Sequence, residues 1–202
     1  AVDLVAWFLE LVPKHKPTTW TMEQVNTKRV REQLDLFKRR HPGLCEWAAV
    51  DMVQYEIPQH RRRIIAGTPS IIAKLRRSTS TRQLPLTAAI PNPPLPYVRC
   101  ALYKRPNHFT REIEDVPLKD QIRSVNRPSY TILARGIKRW ADADGRTLRQ
   151  LSARENALIQ TFPVDYRLPL ASVLSQLAVG NAVPPRFARV LMSPSKRPRR
   201  DV

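Results

Sequence analysis

The sequence is poor in glycine and cysteine and has no long apolar run, and each shortage excludes a class of protein. Only 5 of its 202 residues are glycine and no two of them are close together, so the chain lacks a glycine-rich turn for a nucleotide cofactor. Two cysteines, Cys45 and Cys100, are too few for a disulfide framework or a zinc site. No apolar run approaches the ~20 residues of a membrane span. We therefore expect no bound metal, no membrane partner and a reducing, intracellular compartment.

Acidic residues are also scarce, which indicates a polyanionic partner. The chain has 35 Lys and Arg against 17 Asp and Glu, a formal charge of +18. Such a charge attracts a polyanion and gains free energy from counterion release. Nucleic acid fits this charge better than a membrane surface does, because no basic amphipathic helix stands out. A short basic run at 196–200 is compatible with import into a nucleus.

Apolar spacing predicts alternating helices and strands over the first third of the chain. Helices are expected at 1–12 and 27–40, and strands at 18–23, 47–53 and 63–68. The second helix should carry Val30, Leu34 and Phe37 on one face, with Asn26 or Thr27 as its cap. This alternation is typical of an open α/β sheet, in which functional side chains gather just beyond the carboxyl ends of strands. Glu23 occupies a place of that kind.

A proline-rich stretch interrupts the alternation. Eight of the 19 prolines lie between residues 85 and 128, in a basic segment without glycine that we interpret as an irregular, separate lobe. After this lobe, the run from Ser152 to Glu155 predicts a capping box at the start of a helix. Pro184 and Pro185 predict the first turn of a last helix.

Four segments carry the motifs of the chain. They are the β-prone run at 16–25, which contains Glu23, the Pro-Gln-His-Arg-Arg-Arg run at 58–63, the run at 149–163 and the Gly-Asn-Ala-Val-Pro-Pro run at 180–185. In this order they resemble the later motifs of the DNA cytosine-5 methyltransferase family: a Glu-Asn-Val strand end, a Gln-x-Arg-x-Arg segment, a Leu-Thr-x-Arg-Glu helix and a Gly-Asn-Ala-Val-Pro-Pro turn. The Pro-Ser-Tyr-Thr-Ile run at 128–132 is similar to the segment that follows the target-recognition region of that family.

The resemblance implies an architecture as well as an activity. It implies an α/β fold that forms the C-terminal part of a Rossmann-like, S-adenosylmethionine-dependent methyltransferase sheet, with a smaller irregular target-recognition lobe. The expected divisions are the second half of a catalytic domain at 1–73, the target-recognition region at 74–148, motif helices at 149–192 and a disordered basic tail at 193–202. The implied partner is double-stranded DNA.

The same resemblance assigns roles to individual residues. Glu23 would hold the ring nitrogen and exocyclic amine of a flipped cytosine, although Gln24 stands where the family has asparagine. Gln59, Arg61 and Arg63 would contact the carbonyl of the base and the neighbouring backbone, so Glu23 and Arg63 should share a cleft. The extra cation, Arg62, would face a carboxylate or solvent.

Cofactor and DNA contacts follow from the later segments. Asn181 and Ala182 would pack against the methionine part of S-adenosylmethionine. Arg154 and Glu155 are expected to form a structural ion pair. The DNA contacts, which the sequence cannot sort into phosphate and base contacts, would be Arg76, Arg77, Arg82, Arg99, Lys104, Arg105 and Arg111.

The nucleophile of the family is missing from the chain. It is the cysteine of a Pro-Cys-Gln segment, whereas Cys45 follows leucine and Cys100 follows arginine, and we expect Cys45 to be a buried structural thiol. The cofactor site would also be incomplete without a glycine-rich turn. Three interpretations remain open: the C-terminal part of a methyltransferase whose missing half or partner chain supplies the nucleophile, an inactive DNA-binding remnant, and a basic module that mimics the motifs.

Overall fold

The computed structural model describes residues 2–100, 104–106, 113–115, 118–135 and 137–193. Arg111 and residues 194–202 of the expected tail lie outside the described residues. Within the described ranges, no helix combines the length and the apolar character that crossing a membrane would need. The helices and strands follow in chain order: α1 (Val2–His15), β1 (Thr21–Val25), α2 (Lys28–Arg40), β2 (Glu46–Asp51), β3 (Arg62–Gly67), α3 (Pro69–Arg77), β4 (Tyr97–Cys100), β5 (Lys104–Pro106), β6 (Ile113–Asp115), α4 (Leu118–Gln121), β7 (Ile122–Ser124), β8 (Lys138–Ala141), β9 (Thr147–Gln150), α5 (Ala153–Ile159), α6 (Ser172–Asn181) and α7 (Pro185–Met192).

The first three strands form a sheet with the order β1-β3-β2, in which both pairings are antiparallel. Since β3 runs against both neighbours, β1 and β2 point the same way. Successive side chains of a strand point to opposite faces, so Ile64 and Ala66 pack on one side and Ile65 on the other. Both faces of this sheet are therefore buried, which explains the continuous apolar run of β3.

Helices cover the two faces of the sheet. On one face, Val5 and Leu9 of α1 pack with Val30, Leu34 and Phe37 of α2, which confirms the face predicted for the second helix. Thr27 caps α2 by accepting a hydrogen bond from the Val30 amide. The opposite face packs on α3 and α7, which contribute Ile72, Leu75, Phe187 and Leu191 to a second apolar cluster. The mixed α/β class predicted from the sequence is confirmed.

A second antiparallel sheet with the order β7-β4-β8-β9 builds the other lobe. Val98 of β4 and Trp140 of β8 lie opposite each other and pack with Ile159 of α5 and Val179 of α6. The prediction of an irregular stretch at 85–128 is wrong in this respect, because β4 and β7 fall inside it. Short strands with charged residues on one face give too little apolar alternation to be recognised from sequence. The domain boundaries themselves stay predictions.

Glu155 connects three elements of this lobe. Its carboxylate accepts hydrogen bonds from the indole of Trp140 (3.1 Å) and from both terminal nitrogens of Arg149 (2.8 and 2.9 Å). It also completes the predicted capping box with Ser152, which is confirmed. The predicted ion pair between Arg154 and Glu155 is wrong: Arg154 instead donates to the Tyr166 carbonyl, because successive helical residues do not face one another.

Gly180 lets the backbone of α6 come into direct contact with the backbone of the segment that precedes β8. A Cβ added at this position would lie 2.2 Å from the Ala134 nitrogen and 2.4 Å from the Leu133 carbonyl carbon. Backbone atoms on both sides cannot move aside as a flexible side chain could. Only glycine fits there.

We expect Gly180→Ala to lower the free energy of unfolding by about 2 kcal/mol or more, because the added methyl group overpacks this contact. Urea denaturation monitored by tryptophan fluorescence would measure the loss. Ala178→Leu is the matched control, since it adds bulk to an exposed position of the same helix and should change stability by less than about 0.5 kcal/mol. Similar losses in the two variants would contradict the close approach.

Acidification should weaken the protein partly through Glu155. Burial raises the pKa of this carboxyl, but the hydrogen bonds from Arg149 and Ser152 outweigh burial and lower it below the ordinary value of 4.5. The contribution to stability is therefore full above pH 4.5 and is lost as the pH falls through the lowered pKa. Glu155→Gln should be less stable than wild type at neutral pH, and the difference should shrink on acidification below that window. A difference that stays constant down to pH 2 would rule out this linkage.

Candidate functional site

The segment before β3 is held in place by Asp51. Oδ1 of this carboxylate accepts hydrogen bonds from the amides of Arg61 (2.9 Å) and Val53 (3.4 Å), and Oδ2 lies 2.9 Å from Nδ1 of His60. Burial raises the pKa of Asp51, but the hydrogen bonds from His60, Arg61 and Val53 outweigh burial and lower it. Asp51 thereby fixes the direction in which the 58–63 run enters the sheet.

Gln59 joins this run to the chain that returns from the second lobe. It forms an isolated parallel bridge with Ser129, and its Oε1 accepts a hydrogen bond from the Ile132 amide at 3.0 Å. The His60 amide donates to the Ser129 carbonyl at 2.9 Å, and the Thr131 hydroxyl donates to the His60 carbonyl at 2.6 Å. The two segments named by the motifs therefore lie side by side.

Arg61 is buried at the centre of this junction, with 2% of its surface exposed. Its Nη1 donates to the Ile132 carbonyl (3.0 Å), and its Nη2 donates to the carbonyls of Gly180 and Ala182 (both 3.2 Å). Burial lowers the pKa of Arg61 to about 10, the charge of Arg63 lowers it further, and Glu23 opposes the shift. The motif resemblance implies a base contact at this position. In the structure, the guanidinium donates its hydrogen bonds to three main-chain carbonyls.

Glu23 and Arg63 meet across the β1–β3 pair. In that register Glu23 lies opposite Ile65 and Val25 opposite Arg63, so Glu23 and Arg63 are diagonal neighbours on one face. The Arg63 Nε lies 2.9 Å from Glu23 Oε1, and both side chains are mostly buried, with 13% and 20% exposed. The neighbouring Arg62 is 81% exposed and 3.7 Å from Asp51, as expected.

Unsatisfied polar atoms gather at this site. Although Oε1 of Glu23 is close to Arg63, the N–H direction does not make a hydrogen bond, and this buried oxygen has no hydrogen-bond donor within the described residues. Gln59 Nε2, Arg61 Nε and Ser129 Oγ are in the same condition, so the junction holds four of the eight such side-chain atoms in the described residues. A buried polar atom without a partner costs about 1–3 kcal/mol, so four such atoms in one part of the molecule require an explanation.

Lys138 is a charged residue of this region that sequence reasoning missed. It is buried on β8, 3% exposed, and burial lowers its pKa to about 8, with Cys100 opposing the shift and Arg61 adding to it. The signal was present in the sequence, because Lys138 and the fully buried Trp140 are two residues apart and share a face of the strand. The motif at 128–132 contains Ser129 and Ile132, but the sequence alone assigned no role to either residue.

The expected cofactor residues lie at the end of α6. Asn181 is the last residue of this helix and is exposed, and Ala182 is its C-terminal cap. The Ala182 carbonyl is one of the acceptors of Arg61. The end of α6 is therefore joined directly to the junction around Arg61.

The expected DNA contacts have different surroundings. Arg76, Arg77 and Arg82 are exposed, and Arg76 lies 3.8 Å from Glu46. Arg99 is half-buried and donates to Oε1 of Gln121 and to the Gly145 carbonyl, contacts that organise the second sheet. Lys104 and Arg105 lie on β5.

Cys45 does not occupy a nucleophilic setting. Cys45 is 2% exposed in the first hydrophobic cluster, so the expectation of a buried structural thiol is confirmed. Burial raises its pKa to about 11, and the charge of Glu46 adds to the shift. A thiol of this kind is protonated at neutral pH and unreactive. Cys100 lies on β4. Within the described residues, no group of His, Cys, Asp or Glu could hold a metal ion.

Comparison with known proteins finds a family match in the second half of the chain. Residues 99–196 match the family model of the C-5 cytosine-specific DNA methylases. This segment, just under half of the chain, is similar to that family. The prediction made from the ordered motifs is thus confirmed.

A solved structure has a similar fold over most of the chain. The crystal structure of a protein assigned as a DNA modification methyltransferase encoded within a prophage (E. coli) superposes with a TM-score of 0.61 and 16% identity. The superposition covers 94% of this chain and 72% of that one. No curated protein sequence matches the chain. Glu23 and the 58–63 run lie outside the family match, so the roles assigned to them stay predictions.

Replacing Arg61 should destabilise the protein strongly. Arg61→Ala leaves three buried carbonyl groups without a donor, and we expect the free energy of unfolding to fall by about 3 kcal/mol or more. Arg62→Ala is the matched control: it removes the same group from an exposed neighbour and should cost less than about 0.5 kcal/mol. Chemical denaturation of both variants would test this, and equal stabilities would show that Arg61 is not a structural tie.

Proposed function

We propose that this chain is the base-holding and target-reading part of a DNA cytosine-5 methyltransferase. The family match, the methyltransferase-like fold and the Glu23–Arg63 pair support the proposal. The observation that carries it is the buried carboxylate oxygen of Glu23, which is ion-paired but accepts no hydrogen bond from the described residues. The fold would be the C-terminal part of a Rossmann-like sheet. Residues other than these 202 would complete that sheet.

Base holding would follow from the complementarity of this site to cytosine. The exocyclic amine of cytosine is a donor and suits a carboxylate acceptor, so a cytosine swung out of the helix would place its amine edge against Glu23. Arg63 fixes the orientation of the carboxylate through the 2.9 Å ion pair. Gln59 Nε2, which is buried and has no acceptor within the described residues, is suited to donate to the carbonyl oxygen of the ring. Arg61 acts as a positioning residue that holds these groups in register.

The attacking thiolate and most of the cofactor site would come from outside this chain. Cys45 is too buried to attack a base, and neither cysteine stands in a Pro-Cys-Gln segment. S-adenosylmethionine would supply the methyl group. The residues at the end of α6 fit one edge of such a donor: the exposed Asn181 offers an amide and Ala182 a main-chain surface. The partners would be double-stranded DNA and a complementary half of the enzyme.

A catalytically inactive DNA-binding remnant is the second candidate function. It would use the same basic surface, and the observation in its favour is that the chain contains no Pro-Cys-Gln segment. The two functions differ in whether a complementary half exists. The reading frame directly upstream offers a first check, because a coding segment for Pro-Cys-Gln there would favour the enzyme.

Methyl transfer distinguishes the two functions directly. Purified chain, host-cell extract and their mixture would each be given DNA and S-adenosylmethionine with a radioactive methyl group. We expect no transfer by the chain alone, since the covalent step needs a thiolate, and a gain in the mixture over the sum of its parts. Glu23→Gln should reduce this gain about 100-fold or more, because the carboxylate contacts the reacting ring.

The control is Glu32→Gln, which changes an exposed carboxylate of α2 and should leave the gain unaltered. A mixture no more active than its separate components would favour the inactive remnant. Turnover by the chain alone would show that the nucleophile has been misassigned.

A further inference from the structure

A basic groove outside all the expected DNA contacts lies between α4, β7 and the segment that follows them. It has a volume of about 550 Å³ and is lined by Tyr97, Lys119, Ile122, Arg123, Arg127 and Tyr130, together with Asp120 and Ser124. Three cations therefore face one carboxylate. Lys119 and Arg127 are exposed.

The floor of this groove is rigid. The guanidinium carbon of Arg123 lies 4.0 Å from the centre of the Tyr130 ring, and Arg123 Nη1 donates to the Pro128 and Ser129 carbonyls at 3.2 and 3.4 Å. The Tyr130 hydroxyl donates to the Asp120 carbonyl at 3.1 Å. Burial raises the pKa of Tyr130, while the nearby Arg123 opposes the shift, so the hydroxyl remains a donor at neutral pH. A stacked guanidinium on an aromatic ring is a preformed platform for an anion that carries flat groups.

The groove adjoins the base-holding site. Ser129, whose carbonyl accepts from Arg123, is paired with Gln59 and accepts from the His60 amide. The Ser129 amide donates to the Pro58 carbonyl at 2.8 Å. One wall of the groove is thus hydrogen-bonded to the run that carries Gln59 and Arg61.

We propose that this groove binds the sugar-phosphate backbone of the DNA strand next to the flipped cytosine, with Lys119 and Arg127 as phosphate contacts. Single charges spread over a convex surface would attract DNA without fixing its register. Here the cations line a concave surface between two tyrosines, the arrangement that proteins use to follow a nucleic-acid backbone. Phosphate contacts position a duplex, and this groove is attached to the segment that must be positioned.

The inference rests on the proposed function, and DNA binding by the full chain tests it separately. The variant Lys119→Gln with Arg127→Gln removes two charges from the groove, and Arg29→Gln with Arg39→Gln removes two exposed charges from α2 as a matched control. Fluorescence anisotropy with labelled duplex DNA would be recorded between about 50 and 200 mM salt. The groove variant should bind about tenfold more weakly than the control, and its logarithmic salt slope should be smaller by about 2, since each lost phosphate contact removes ~0.9.

Equal losses of affinity in the two double variants would overturn the groove assignment, and so would an unchanged salt slope. Losses confined to the groove variant would support it even if the mixture of chain and extract transfers no methyl group, an outcome that counts against the proposed enzyme alone. Conversely, methyl transfer together with equal losses of DNA affinity in the two double variants would support the proposed enzyme and reject this groove as its DNA contact.

The tyrosine platform provides a second measurement. Tyr130→Phe keeps the ring beneath Arg123 and should bind DNA as wild type does, whereas Tyr130→Leu removes the ring and should bind several-fold more weakly. Equal affinities for these two variants would overturn the role of the ring. The free energy of unfolding of each variant, measured in parallel, separates a loss of binding from a loss of folding.

Discussion

The buried guanidinium of Arg61 is the interaction on which the arrangement of the molecule depends. Its three acceptors belong to two different segments, the chain that leaves the second lobe at Ile132 and the end of α6 at Gly180 and Ala182. A charge in such a place is tolerated because every bond is to a carbonyl dipole and because Glu23 is close enough to offset Arg63. The cationic group therefore acts as a structural tie between the parts of the site.

The central strand β3 explains how one run of sequence can serve both folding and chemistry. Its apolar residues fill the two faces of the sheet. Arg61 immediately precedes the strand, and Arg63 in its first part is within reach of Glu23 on the neighbouring strand. The antiparallel pairing brings the last part of β1 next to the first part of β3. Packing in the sheet thereby sets the geometry of the charged pair.

Local sequence signals predicted the elements that depend on local physics. The caps at Thr27 and Ser152 and the apolar face of α2 were recognised because helix periodicity and capping chemistry are short-range. The second sheet was missed because its short strands have little apolar alternation, and β9 is exposed along its whole length. The order of the motifs predicted that Glu23 and Arg63 lie close together. Motif order carries no information on burial, so neither the carbonyl partners of Arg61 nor the burial of Lys138 could be predicted from it.

The bare main-chain contact at Gly180 has a mechanical consequence. No side chain separates α6 from residues 133–134 at this contact, so the two backbones cannot slide over each other. Any shift of the helix must be transmitted to the chain that continues to β8, and through Ile132 to the guanidinium of Arg61. A molecule that docks beside Asn181 would therefore press on the segment that holds Arg61 with no compressible side-chain layer in between.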